Sequence, residues 1–99
     1  MINKKYKPYV SVSEVKIYKV NDYDDGLVAF ASCILDDKYF LNGIGVYRKL
    51  KKGYRITFPK RRDSKGRTKD IFAPVNLDAY NGIATKIINK YLIMYDNKN

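Results

Sequence analysis

The chain has 99 residues, 45% of them hydrophobic, and its net charge of +10 comes from 20 basic and 10 acidic side chains. This length fits one domain with a small core, and this apolar content is too high for a disordered polyelectrolyte. With no histidine and a single cysteine, Cys33, the chain cannot build a His/Cys zinc site, a histidine-based catalytic triad or an internal disulfide.

The overall charge points to partners rather than to a fold. A pI near 9.7 favours polyanions, with nucleic acid first, an acidic membrane surface second and an acidic protein third. The sequence has no apolar run of about 18 residues and no apolar segment after its basic N-terminus, so we expect neither a transmembrane helix nor a secretion signal. A lone cysteine fits a reducing compartment, and we expect a cytoplasmic protein.

The two ends of the chain show no periodicity. Residues 1–10 carry Lys4, Lys5 and Lys7 without any apolar pattern and are expected to form a flexible basic arm. Residues 96–99 are expected to be a frayed tail. The single domain is therefore predicted over residues 11–95.

The first predicted strand covers residues 10–20. Apolar and polar residues alternate there, with one change of phase near Glu14 that a β-bulge would absorb. Residues 21–26, N-D-Y-D-D-G, have the chemistry of an acidic hairpin turn. They lack the twelfth-position glutamate of a calcium loop, so the turn is the favoured interpretation.

The second and third predicted strands form the centre of the sheet. Residues 27–35 are apolar on both faces, which predicts a central strand covered on both sides. Cys33 lies in this strand and is predicted to be a small core residue, because a reactive thiolate would need a nearby histidine or helix N-terminus and the chain has no histidine. A tight turn at residues 36–38 leads into a strand over residues 39–47, where Gly43 and Gly45 indicate a bulge or a close backbone approach.

The remaining elements complete an α+β domain. Residues 54–58 alternate as a short strand, and residues 71–75 are predicted to be a short extended segment at a sheet edge because of Pro74. Asn76 is a good N-cap for one amphipathic helix that continues to about Tyr95. The fold class is thus α+β, an antiparallel β-sheet of about five strands followed by a long C-terminal amphipathic helix.

Residues 48–69 contain all of the net charge. They hold eleven basic side chains and one acid, Asp63, whereas the rest of the chain is electrically balanced. Ten of these cations fall into two predicted loops, residues 48–53 and 60–69, on either side of the strand 54–58, which carries Arg55. Because a five-residue strand spans about 17 Å, both loops would reach one nucleic-acid backbone. The candidate nucleic-acid-binding residues are Arg48, Lys49, Lys51, Lys52, Arg55, Lys60, Arg61, Arg62, Lys65, Arg67 and Lys69.

These cations are expected to act in two ways. Arg61 and Arg62 follow the rigid Pro59 and are the best candidates for bidentate contacts to phosphate or to a guanine edge. The lysines would add phosphate contacts that carry no sequence information. On charge alone, a pair of solvated turns kept basic for solubility remains an alternative.

The segment 58–76, F-P-K-R-R-D-S-K-G-R-T-K-D-I-F-A-P-V-N, resembles the stage V sporulation protein G (SpoVG, septation regulator) family. Upstream, V-S-E-V-K-I-Y-K-V-N, A-F-A-S-C-I-L-D-D-K-Y-F and I-G-V are similar to other segments of that family. The resemblance covers about residues 12–95. The chain departs from the family pattern at Lys60, at Ala73 and in the basic loop 48–52. The positions that match in register are Pro59, Arg61, Arg62, Gly66, Lys69, Asp70, Ile71, Pro74 and Asn76.

The resemblance implies a small cytoplasmic homodimer that binds DNA, and in some members RNA, to regulate genes in septation or sporulation. It connects Arg61 and Arg62 with DNA contact. The residue inventory offers no catalytic set, so we expect no enzymatic activity, no cofactor, no bound metal, no membrane partner and no small-molecule substrate. The rival hypothesis is a protein-interaction adapter whose basic loops dock an acidic partner and whose helix or edge strand carries specificity. A second rival is an RNA-associated or ribosome-associated protein.

Overall fold

The computed structural model describes residues 10–21 and 24–96. Nearly all of the expected basic arm, two residues of the first turn and the last three residues of the expected tail lie outside the described residues. The strands are β1 (Val12–Lys19), β2 (Leu27–Leu35), β3 (Tyr39–Arg48), β4 (Tyr54–Thr57), β5 (Lys60–Arg62) and β6 (Thr68–Asp70). The helix α1 (Leu77–Tyr91) follows them, and the chain continues in a wider π-helical turn, Leu92–Asp96.

The strands form two separate antiparallel sheets. β1 to β4 are arranged in the order β1-β2-β3-β4, and β5 pairs only with β6 among the described strands. β2 is therefore central, as its apolar sequence predicts. The α+β prediction is confirmed, an antiparallel sheet followed by one C-terminal helix.

The irregular positions of the sheet lie where the sequence changes phase. Glu14 has a φ of 48°, and the β1–β2 register shifts between Ser13 and Lys16. Gly43 has a φ of 77° next to a second register shift in β2–β3. At Gly45 a β-carbon would lie 2.7 Å from Oγ1 of Thr57, so glycine permits a close approach of β3 to β4. The expected bulge and the expected close approach are both confirmed.

Two local signals also fold as predicted. Asp36 and Asp37 both have positive φ, 52° and 57°, in the tight turn between β2 and β3. Asn76 caps α1, because its side-chain oxygen accepts a hydrogen bond from the amide of Ala79 at 2.8 Å. The cap sets where the helix begins and therefore which of its residues face the sheet.

The core lies between α1 and one face of the four-stranded sheet. The helix buries a stripe of residues at helical spacing against the apolar sheet residues. The buried hydrophobic residues are Val12, Ile17, Val28, Ala29, Ala31, Cys33, Leu35, Leu41, Ile44, Val46, Ile56, Ile83, Ala84, Ile87 and Tyr91. The helix thus covers the sheet, as its amphipathic pattern indicates.

The predicted cover on both sides of β2 is wrong for the single chain. Tyr18 and Phe30 lie opposite each other on β1 and β2 and are 53% and 45% exposed. Phe40 on β3, opposite Ile34, is 67% exposed. The reason is that α1 is the only α-helix among the described residues and it occupies the other face. We call this uncovered surface the open face, defined by Tyr18, Phe30, Ile34 and Phe40.

Two predictions downstream of β4 are also wrong. The expected loop 60–69 is a β-hairpin, and the expected extended segment 71–75 belongs to neither sheet. The β5–β6 pairing ends at Lys60 and Asp70, and the amide of Ile71 donates to the carbonyl of Pro59 at 3.1 Å. From there the chain turns towards the N-cap of α1, so the residues between have no strand beside them.

We expect Cys33 to be structural. Its side chain is 0% exposed, and burial raises the pKa of the thiol. Cys33→Ala should lower the free energy of unfolding by about 1 kcal/mol through lost packing. An unfolded thiol ionises near pH 8.5, so the stabilisation that the raised pKa provides is complete below that pH and is lost above it.

Urea titrations at neutral and alkaline pH measure this effect. The free energy of unfolding should decline more steeply with pH for the wild-type protein than for Cys33→Ala, which serves as the control for titrating tyrosines and lysines. Rapid modification of Cys33 by a thiol reagent in the folded protein would contradict the assignment.

Candidate nucleic-acid interface

The hairpin formed by β5 and β6, residues 60–70, is called here the basic ribbon. Its base is attached to the domain by aromatic contacts. The ring of Phe58, before β5, lies 5.3 Å from the ring of Phe72, after β6, and 6.1 Å from the ring of Tyr80 on α1. The hydroxyl of Tyr80 accepts a hydrogen bond from the amide of Ile56 at 3.1 Å and donates to its carbonyl at 3.4 Å. The ribbon is therefore mounted on both β4 and the helix.

The turn of the basic ribbon is organised by Asp63. One carboxylate oxygen accepts from the amides of Lys65 and Arg67, both at 2.9 Å, and the other accepts from Nε of Arg67 at 3.0 Å. Gly66 takes a φ of 82°, which suits a three-residue loop with glycine in the left-handed conformation. The backbone hydrogen bond from Arg67 is the main cause that lowers the pKa of Asp63, so the carboxylate is charged at neutral pH.

One face of the basic ribbon has both of its cations, Lys60 and Arg62, in contacts within the ribbon. Nζ of Lys60 lies 2.7 Å from a carboxylate oxygen of Asp70, its cross-strand partner. Arg62 is on the same face, because successive side chains of a strand point to opposite sides. Its guanidinium donates to the carbonyl of Gly66 at 3.4 Å. These contacts hold the two side chains against the ribbon.

The opposite face carries charge that nothing in the described part of the chain neutralises. Arg61 lies directly across from Lys69, and both residues are exposed. The acids Asp63 and Asp70 are engaged by Arg67 and Lys60. Two like charges opposite each other destabilise a strand pair. A bound anion between them would remove that repulsion, and this makes the Arg61–Lys69 face the strongest candidate contact surface.

The second basic group lies at the tip of the β3–β4 hairpin, residues 49–53. The amide of Lys49 donates to the carbonyl of Gly53 at 2.9 Å, and Gly53 has a φ of 89°. Lys49, Lys51 and Lys52 are all exposed there. This closed turn presents the three lysines to solvent and is called here the lysine tip, residues 49–53.

The two arginines beside this tip face opposite sides of the sheet. The guanidinium carbon of Arg48 lies 5.4 Å from the centre of the Tyr54 ring, and that ring packs 5.4 Å from Tyr91 on the helix side. The guanidinium carbon of Arg55 lies 4.5 Å from the centre of the Tyr47 ring. Their cross-strand register places the Arg55–Tyr47 pair on the side away from Arg48.

The structure therefore divides the predicted site residues rather than gathering them on one surface. The lysine tip and the basic ribbon lie at opposite ends of β4, whose four residues span about 13 Å. Arg61 and Arg62, predicted as a pair of equivalent contacts, lie on different faces of the ribbon. A single flat contact cannot engage all eleven cations at once.

Sequence reasoning missed the ribbon and its internal ion pairs. The signal for the hairpin was present in D-S-K-G-R, where glycine follows a turn that Asp63 opens. Polar residues on both faces hid the strands, because apolar alternation is the usual indicator of a strand. The partners of Lys60 and Arg67 depend on the strand register, which the sequence pattern alone does not reveal.

Fold and site together define a small α+β domain with a protruding basic β-ribbon. The family model that matches the chain is SpoVG, over residues 10–92. A "Putative septation protein SpoVG" of Phytoplasma australiense is 34% identical over 88 residues, which is 89% of this chain and 90% of that protein. A protein of the same name from Archaeoglobus fulgidus is 30% identical over 81% of this chain and 92% of its own length. The chain belongs to the SpoVG family, whose relatives are named as septation proteins.

Residues 10–21 and 24–96 lack two other kinds of site. Those residues contain no group of three or more cysteine, aspartate or glutamate side chains placed to hold a metal ion. No helix among them has both the length and the apolar character needed to cross a bilayer. The basic surfaces remain the chemically distinctive feature of the described chain.

We expect Asp63→Ala to loosen the ribbon turn and leave the core intact. The substitution removes three accepted hydrogen bonds, one of which is also the ion pair to Arg67, but the turn is exposed and contributes no residue to the buried core. Amide exchange at Lys65 and Arg67 should accelerate while the thermal midpoint of the domain changes little. Ser64→Ala, in the same turn, is the matched control.

Acid should loosen the wild-type turn as Asp63→Ala does, because it protonates the carboxylate that accepts these hydrogen bonds. A lowered carboxyl pKa means that its contribution is present above about pH 3.9, the unfolded value, and is lost as the pH falls through the folded pKa. Amide chemical shifts of Lys65 and Arg67 should therefore change only in acid. Identical amide exchange in wild type and Asp63→Ala would show that Asp63 does not organise the turn.

Proposed function

We propose that the protein is a cytoplasmic nucleic-acid-binding regulator without enzymatic activity, which binds DNA, and also RNA, through its basic ribbon. The observation that carries the proposal is the Arg61–Lys69 pair, two cations directly opposite each other on an exposed β-hairpin whose two acids, Asp63 and Asp70, are paired with other cations. Family membership supports a role in septation, the process for which the relatives are named. A solvated turn kept basic for solubility would gain nothing from placing two cations directly opposite each other.

A two-stranded ribbon has the right dimensions for duplex DNA. The major groove is about 12 Å wide and admits such a ribbon, with side chains of one face directed at base edges. Arg61 would make bidentate contact with guanine, and Lys69 would contact a nearby phosphate. Arg62, held towards Gly66 on the other face, would contact the backbone instead. Arg61 is thus assigned to recognition of the base sequence, and Arg62 to positioning the protein on the DNA backbone.

The rival function, docking of an acidic protein, uses the same cations. It differs in what it requires of the ligand, since an acidic protein need not offer regularly spaced phosphates. Titration with duplex DNA, single-stranded RNA and polyglutamate at two salt concentrations separates the two functions. Tight binding of polyglutamate without binding of nucleic acid would favour the adapter.

The proposed regulator acts as a homodimer. Three of the residues that define the open face, Tyr18, Phe30 and Phe40, are large, aromatic and about half or more exposed, which is unusual for the face of a sheet in a monomer. Packing this face on its copy would bury those rings and give β2 the second cover that its apolar sequence predicts. Two-fold symmetry would also present two basic ribbons to one duplex.

Arg61→Ala and Arg62→Ala should differ in their effects on DNA binding. Arg61→Ala should reduce the preference for a selected site over a scrambled one, because a bidentate guanine contact contributes about 1–3 kcal/mol of discrimination. Arg62→Ala should weaken both duplexes alike. Fluorescence anisotropy at several salt concentrations, plotted as log K against log salt, measures affinity and the number of phosphate contacts.

Lys51→Ala/Lys52→Ala is the matched control for loss of charge alone. It should lower affinity for every duplex and reduce the salt slope by about one unit per lost contact, with the preference unchanged. Equal proportional losses on both duplexes for Arg61→Ala and for the lysine variant would mean that the ribbon does not read sequence. Unfolding of Arg61→Ala would show a structural role instead.

Phe30→Asp should convert the proposed dimer to a monomer. A charge at this half-exposed position would be buried without a partner if the open face is the interface. Leu77→Asp is the control, because Leu77 is 70% exposed in the first turn of α1, where an acid suits the helix dipole. Sedimentation velocity should show a dimer for wild type and Leu77→Asp. A wild-type monomer at micromolar concentration rules out the dimer.

A further inference from the structure

The tip of the β3–β4 hairpin carries an apolar side chain among its lysines. Leu50 is fully exposed, at 104% of its reference area, between Lys49 and Lys51. Turns of this kind are normally built from glycine, asparagine, aspartate or serine, which stabilise the turn backbone. A leucine that packs on nothing adds no stability to the fold, so its chemistry is available to a ligand.

The hairpin holds Leu50 in a defined position. The hydrogen bond from Lys49 to Gly53 closes the turn immediately around it. Below the turn, Arg48 packs on Tyr54, and a β-carbon at Gly26 would lie 2.8 Å from the carbonyl oxygen of Arg48. The base of the hairpin is therefore packed tightly against the turn before β2. Leu50 therefore lies at the tip of a hairpin whose base is packed against the rest of the domain, and not in a loose loop.

We propose that Leu50 is a wedge that enters between two stacked base pairs of a DNA duplex and bends it. The inference rests on the proposed function, because it requires that the protein binds duplex DNA. Proteins that bend DNA from the minor groove insert apolar side chains, leucine among them, into base steps. That groove is about 6 Å wide, so lysines on either side of a wedge lie close to the phosphates of both strands. Lys49 and Lys51 have this placement in the chain.

One duplex can also engage the two separate basic groups. The lysine tip and the basic ribbon lie at opposite ends of β4, and their cations do not form one flat surface. Half a helical turn from the minor groove at Leu50, about 17 Å along the axis, the major groove faces the same side of the duplex, and the ribbon can enter it there. The energy that unstacking one base step requires, a few kcal/mol, is then offset by the additional phosphate contacts.

The same tip offers less to an anionic membrane. One buried leucine contributes about 1.5–3 kcal/mol, and even a myristoyl chain gives only marginal membrane binding. In a duplex the leucine need not supply the affinity, because the cations of the tip and ribbon do so. Duplex DNA is therefore the partner that the arrangement favours.

Fluorescence resonance energy transfer between the ends of a short duplex measures the bend. The duplex carries a flexible TA step at its centre, and anisotropy on the same duplex measures affinity. Wild-type protein should increase the energy transfer at saturation. Leu50→Ala should abolish most of that increase while its affinity stays within about tenfold of wild type, the equivalent of 1.4 kcal/mol. Leu50→Met, which keeps an apolar side chain of similar volume, should retain the bend.

Val75→Ala is the matched control. Val75 is also apolar and 93% exposed, but it lies before α1 and outside the lysine tip. Its substitution should leave both bend and affinity unchanged. Wild type should also prefer the TA duplex to a stiff A-tract duplex of equal length, and Leu50→Ala should lose that preference.

The remaining outcomes contradict either the proposal that Leu50 is a wedge or the proposed function on which it rests. Saturated wild-type protein on a straight duplex, or a bend that survives in Leu50→Ala, refutes the wedge and leaves the proposed function standing. No binding of any duplex in the anisotropy measurement refutes the proposed function itself. Vesicles containing phosphatidylserine provide the last arm. Vesicle binding that is lost in Leu50→Ala, together with an unchanged DNA bend, would assign the leucine to a membrane surface.

Discussion

The contact that joins the three parts of this domain is made by Tyr80. Its hydroxyl bonds both the amide and the carbonyl of Ile56 on β4, and its ring meets Phe58 at the base of the basic ribbon. One helical residue thus fixes the helix to the edge of the sheet and the ribbon to both. The ribbon has no buried residue in its strands, so its orientation depends on this aromatic base. Any directed contact with a nucleic acid depends on the same arrangement.

Electrostatics divides the cations of the ribbon into two groups. Lys60 and Arg67 are paired with acids, and these pairs hold the hairpin in register and close its turn. Both pairs are exposed in part, so each contributes little to the stability of the whole domain. Arg61 and Lys69 are left without an acid at the cost of mutual repulsion. The cations that form ion pairs within the hairpin, Lys60 and Arg67, are therefore different residues from Arg61 and Lys69, which remain available to a partner.

Much of the fold follows from local patterns in the sequence. The bounds of β2, the Asp36–Asp37 turn, the bulge near Glu14 and the Asn76 cap were all predictable, because each depends on neighbours within a few residues. The eleven cations of the candidate site were identifiable for the same reason, since a run of charge is a property of the sequence itself. Strand alternation and the helical stripe also located most of the core.

The sequence by itself determined β1 to β4 and the helix, most of the core residues and the concentration of charge in residues 48–69. Only the tertiary structure decided that residues 60–70 form a ribbon, that Arg61 and Arg62 face opposite sides, and that the open face lacks a cover. Each of these depends on contacts between residues distant in the chain or on how many elements are available to cover a sheet. Periodicity indicates the face of its own strand or helix on which a side chain lies, but it does not indicate which residues of other elements pack against that face.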